Sequence, residues 1–195
     1  MDKVYTANNK TDKAISNQLN KIVECILKEM KAEGILLGGS FAMGEGTAKI
    51  KGNKVYPFND FDIYIISEEK ISGKKINEIS EKVALYFGKL SFVGSGFINP
   101  KEVTLEDTFV FDLKFLSVKE LGKLLPRLRN YSLKNKSRVI YGKDFRSIIP
   151  DYKLKDIPLS EAAKLLLDRM GQNAEYYSKT KKNDFEIFSS KFVMR

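Results

Sequence analysis

Apolar residues recur at helical spacing early in the chain, at Ile15, Leu19, Ile22, Ile26 and Met30, and Val23 and Leu27 widen the stripe. The spacing predicts an amphipathic helix over about 12–32, stopped by Gly34. Cys25 lies near that stripe, where a thiol serves as a small core residue. The run Ile35-Leu36-Leu37 then breaks at Gly38-Gly39-Ser40, with a short helix expected after it. Residues 48–58 read as a turn or hairpin around Gly52-Asn53, and Phe61 to Ile66 as a buried strand.

Ile76, Ile79, Val83 and Phe87 predict a second helix, ended by Gly88. Alternation predicts strands over Leu90 to Ile98 and Thr108 to Leu116, with a short one at 102–105. Val118, Leu121, Leu124 and Leu125 predict a short helix broken at Pro126, and Arg138 to Tyr141 one more strand. Ile149 to Pro158, with two prolines, reads as a linker between a domain over 1–148 and a helical segment over 159–195. In that segment Leu159, Ala162, Ala163, Leu166, Met170, Asn173 and Tyr177 mark a long helix capped near Ser160. Phe185, Phe188 and Phe192 start a further helix whose apolar face has no sequence left to cover it. That face predicts a longer natural chain, or a partner such as a second copy of this one.

Composition narrows the chemistry. The 195 residues are 43% apolar and 30% charged, a soluble globular composition that suits one domain with an appendage. There is no histidine, which excludes a Ser-His-Asp triad, a Cys-His pair and an imidazole base. A single cysteine allows no internal disulfide and leaves the usual zinc sites without ligands. Catalysis must then run on carboxylates, hydroxyls, lysines, arginines, backbone amides or oxygen-ligated cations such as Mg²⁺. No apolar run approaches the ~20 residues of a membrane span. The opening MDKVYTANNKTDK lacks the apolar core of a signal peptide, so a cytoplasmic location away from membranes is expected.

The net charge of +9 is concentrated between Lys114 and Arg146, where ten basic residues face only Glu120 and Asp144. Such a surface draws a polyanion, RNA or a triphosphate, unless its lysines simply face solvent.

Two strings carry the chemistry, GGSFAMGEGT at 38–47 and NDFDIYII at 59–66. In the first, the glycines let a phosphate approach the backbone, and the helix start offers N–H groups. A P-loop is excluded, because Glu45 follows Gly44 where a lysine would be needed. In the second, Asp60 and Asp62 fall two apart, which sends both carboxylates to one strand face with Cα atoms about 6.6 Å apart. A third acid, Asp112, interrupts the apolar strand TFVFDLKFLS, with Lys114 two residues on along the same face. Carboxylates on apolar strands are costly without a positive partner, and a divalent cation is a natural one. Together the three acids make a site for two Mg²⁺ ions, which would stand ~3.5–4 Å apart.

The order Gly39-Ser40, then Asp60-Phe61-Asp62, then Phe111-Asp112-Leu113 resembles the nucleotidyltransferases of the DNA polymerase β-like superfamily. The resemblance covers about residues 34–145, and the helices after 158 resemble the helical appendage of many members. The spacer from Ser40 to Asp60 is some half-dozen residues longer than the family's usual one, which the hairpin over 48–58 accounts for. The resemblance implies an α/β (α+β) fold with a mixed sheet flanked by helices, the acids along one sheet face and the glycine turn beside them. It implies transfer of a nucleoside monophosphate from an NTP to an acceptor hydroxyl with release of pyrophosphate. Asp60 and Asp62 would bridge two Mg²⁺ or Mn²⁺ ions, and Asp112 would complete the one that activates the hydroxyl. Gly39 and Ser40 would hold the β- and γ-phosphates, with Lys114 steadying the triphosphate. The acceptor is left open among RNA, a small molecule and a protein. A competing reading is a degenerate domain of the same family that binds nucleotide or RNA and regulates a partner.

Overall fold

The computed structural model describes residues 4–6, 9–57, 59–68, 70–86, 90–92 and 108–179. The first helix, α1 (Asn9–Glu29), buries Ile15, Leu19, Ile22 and Ile26 completely, as its periodicity predicts. It is followed by strand β1 (Gly34–Leu37) and the five-residue helix α2 (Gly39–Met43). Strands β2 (Ala48–Lys51) and β3 (Lys54–Pro57) form the expected hairpin, turning at Gly52 with φ +59°. Two hydrogen bonds close its neck, Thr47 N to Asn59 Oδ1 at 2.7 Å and Asn59 N to Thr47 O at 3.4 Å. Gln18 on α1 donates to Val55 O and ties the hairpin down.

Strand β4 (Phe61–Ser67) is the middle strand of the five-stranded sheet. Helix α3 (Gly73–Tyr86) leads to the short strand β5 (Leu90–Phe92) and to the ten-residue strand β6 (Thr108–Ser117). The end of the strand expected to run to Ile98, the one at 102–105 and the helix from Phe185 lie outside the described residues. After β6 come α4 (Val118–Leu121), α5 (Leu128–Lys136) and strand β7 (Arg138–Gly142). The stretch from 149 to 158 carries one 3₁₀ turn, at Leu154–Asp156, and its first residue, Ile149, is buried. Helix α6 (Leu159–Lys179) begins directly after Pro158 and exposes Leu159, Leu166, Leu167 and Met170.

Five strands make one mixed sheet in the order β5-β6-β4-β1-β7. The pairs β5–β6 and β6–β4 are parallel, whereas β4–β1 and β1–β7 are antiparallel. Because side chains alternate along a strand, each strand feeds both faces. Ile35, Leu37, Phe61, Ile63, Ile65, Phe111 and Leu113 point into one core, covered by α1 and α3. Leu36, Tyr64 and Ile66 point the other way, into a smaller core closed by Leu121, Leu133, Phe145 and Ile149. Asp62, Asp112 and Lys114 belong to this second face, because they alternate with the residues of the first. The mixed sheet flanked by helices is the fold class expected from the sequence.

Candidate active site

β4 and β6 run parallel in a register that sets Asp62 opposite Asp112 and Tyr64 opposite Lys114. The next level, Ile66 and Leu116, is apolar and lies in the smaller core. The sheet face therefore changes from oily to charged within two residues. The side chain of Lys114 reaches back one level, where its Nζ stands 2.8 Å from Asp62 Oδ1 and 2.7 Å from Asp112 Oδ2. It also lies 4.8 Å from the centroid of the Tyr64 ring.

All three charges are mostly withdrawn from water, with side-chain exposures of 15% for Lys114, 21% for Asp62 and 24% for Asp112. Burial works against the Lys114 charge, but Asp62, Tyr64 and Asp112 outweigh it and hold its pKa above the ordinary lysine value. The Tyr64 phenol is raised by burial, against the pull of Lys114 and Arg129. Arg129 of α5 lines the same cleft as Tyr64 and Lys114.

The glycine turn is beside the acids. Gly38 N donates to Asp62 O at 2.7 Å, which fixes the end of β1 against β4. Gly39 follows at φ +64°, and a Cβ there would collide with the Asp62 carboxylate. Only glycine lets the backbone and that carboxylate come so close. Ser40 is buried on α2 together with Phe41 and Ala42.

A cleft of about 820 Å³ opens over this floor. Gly38, Gly39, Asp62, Tyr64 and Lys114 line its base, and Lys123, Arg127, Leu128 and Arg129 line one wall. Glu161, Lys164, Leu165 and Asp168 of α6 line the other, and Arg127 Nε reaches Glu161 Oε1 at 3.7 Å across the gap. The structure thus brings Gly39, Asp62, Asp112 and Lys114 together. Asp60 precedes β4 and is half-buried. Among the described residues no three acidic, histidine or cysteine side chains converge as a metal cluster.

Sequence reasoning missed α5 and with it Arg127 and Arg129. Their signal was the basic window, which the structure divides. Lys134 donates to Ile149 O, Arg138 to Val4 O, and Arg146 to Asp144 and Ser137 O. Lys143 stacks 5.4 Å from the Phe145 ring centroid. These four tie the chain together, whereas Lys114, Lys123, Arg127 and Arg129 face the cleft.

The mixed sheet flanked by helices is the fold that the polymerase β-like resemblance implies. No family model matches the chain, and no curated protein matches it. Solved structures similar to it include the following two. One is a complex of a tri-AMPylated Shewanella oneidensis HEPN toxin with the MNT antitoxin. That match has 14% identity and a TM-score of 0.40, and it covers 80% of this chain and 92% of the other. The second is a spectinomycin adenyltransferase from Enterococcus faecialis with ATP and spectinomycin. Here the identity is 16% and the TM-score 0.48, over 83% of this chain and 68% of the other. Among the described residues no helix is long and apolar enough to cross a membrane.

Proposed function

We propose that this protein is a nucleotidyltransferase that moves a nucleoside monophosphate from an NTP to an acceptor hydroxyl and releases pyrophosphate. One observation carries the reading. Asp62 and Asp112 stand in register on neighbouring parallel strands, and Asp62 lies beside a glycine turn at the base of a cleft large enough for a nucleotide.

The donor set fits a hard divalent cation. Asp62 and Asp112 offer carboxylate oxygens on one face, and an ammonium already bridges them, which shows that the pair holds positive charge. Asp60, Asp62 and Asp112 are the residues that would hold Mg²⁺ or Mn²⁺. Bound there, such ions lower the pKa of an acceptor hydroxyl and offset the charge of the transferring phosphate. The chain's own residues do the rest. Gly38 and Gly39 let phosphate oxygens approach the backbone without a side chain in the way. Arg127, Arg129 and Lys123 place positive charge along the wall where a triphosphate would extend. A carboxylate of the set receives the proton that leaves the acceptor. Ser40 and Lys114 complete the proposed phosphate contacts, Ser40 through its position at the start of α2.

Lys114 across the two acids is also the observation that favours the second reading, a nucleotide-binding module without transfer. One assay separates the two. The protein is incubated with α-³²P-labelled ATP, CTP, GTP or UTP and Mg²⁺ or Mn²⁺, with RNA, protein and metabolite pools offered as acceptors. Label transferred to one pool, and lost in excess EDTA, is the expected result. Binding of NTP without transfer to any pool would favour the module.

A further inference from the structure

We propose that Lys114 is a built-in counter-ion of the Asp62–Asp112 pair, which a divalent cation displaces when it enters between the two carboxylates. The inference rests on the metal-dependent reading above and goes beyond it, because it concerns the chain before any ligand arrives.

Lys114 lies on the same strand as Asp112, one level further along, and bends back to contact one oxygen of each acid. A lysine extended straight from that level would point into the cleft that it lines. Two mostly buried carboxylates at neighbouring positions repel each other, and leaving them uncompensated is expensive. One ammonium removes half of their combined charge. A divalent cation removes all of it, so exchange of the ammonium for the cation is favourable at this pair. The ammonium sits on a flexible four-carbon stem, so exchange needs only side-chain rotations and no movement of the sheet. The freed ammonium then remains in the cleft, where phosphate oxygens are its natural partner. The site is thereby held assembled without metal, and it gains a phosphate ligand when metal binds.

The test is calorimetric titration of Mn²⁺, without nucleotide, into the intact protein and into Lys114→Met. Methionine keeps an apolar stem and removes the charge. The variant should bind Mn²⁺ at least about tenfold more tightly, because no ammonium has to leave first. Equal or weaker affinity, with the wild type binding, would overturn the counter-ion role and leave the metal reading standing. No Mn²⁺ binding by either protein would overturn both. Should Lys114→Met not fold, the wild type alone decides by reductive methylation read by mass spectrometry. Lys114 should react slowly without Mg²⁺ and several-fold faster with saturating Mg²⁺, while the exposed Lys119 stays unchanged. A Lys114 rate insensitive to Mg²⁺ would overturn the proposal.

Discussion

Gly39 and Asp62 share one volume: the space where a Gly39 side chain would begin is filled by Oδ2 of the Asp62 carboxylate. The Gly39 backbone also stands at φ +64°, in the left-handed region. Gly39→Ala should therefore cost about 1–3 kcal/mol in urea denaturation and weaken NTP binding by displacing Asp62. Gly52 provides the control, because it has a similar φ of +59° with nothing within 4 Å of its would-be Cβ. Gly52→Ala should lose about 1–2 kcal/mol and leave NTP binding unchanged.

Asp112→Asn keeps the shape of the side chain and removes its charge. On the proposed reading Asp112 serves the acceptor hydroxyl more than the triphosphate. Transfer should fall by roughly a thousandfold or more, while affinity for NTP with Mg²⁺ changes by less than about tenfold. Single-turnover kinetics and calorimetry on the one variant read both. Near-normal transfer would move the third acid elsewhere, to Glu102, Glu106 or Asp107.

The end of β6 is held by a capping box. Ser117 Oγ accepts from Glu120 N, and Glu120 Oε2 accepts from Ser117 N at 2.8 Å. Ser117→Ala should cost about 1 kcal/mol. The hydrogen bond from the Ser117 backbone holds the Glu120 pKa below the ordinary carboxylate value. A lowered folded pKa means that this stabilisation is complete above the unfolded value and is lost as pH falls through the folded one. The stability difference between wild type and Glu120→Gln should therefore be largest near neutrality and vanish in acid, as urea melts at several pH values would show.

Cleft-facing cations limit how strongly RNA can be held. With Lys114, Lys123, Arg127, Arg129 and Lys164 as the available contacts, log K for single-stranded RNA against log salt should have a slope no steeper than about −3.5. A steeper slope in filter binding would place the RNA surface outside the cleft.

The elements legible in the sequence are those with dense, periodic burial. In α1, four residues at spacings of three and four are fully buried, and in β4 the alternation of Phe61, Ile63 and Ile65 marks one face unambiguously. The period of two also put Asp112 and Lys114 on a common face correctly. Helix α5 escaped because it follows Pro126, is rich in Lys, Arg and Asn, and buries only Leu133 deeply. Nothing along the chain distinguishes Arg129, which faces the cleft, from Arg138, which binds Val4 O. Register is equally hidden. That Asp62 stands level with Asp112, and that Lys114 spans both, depends on how two strands 50 residues apart are paired.

The closed neck of the β2–β3 hairpin bears on how far apart the two motifs really are. Thr47 and Asn59 hold hands through two hydrogen bonds, so the loop between them leaves the path of the main chain and returns to where it departed. Counting residues from Ser40 to Asp60 therefore measures a detour and not a separation. A loop closed at its neck tolerates a change of length at its tip, so a motif search that fixes the spacing would pass over a chain whose acids stand in the same places.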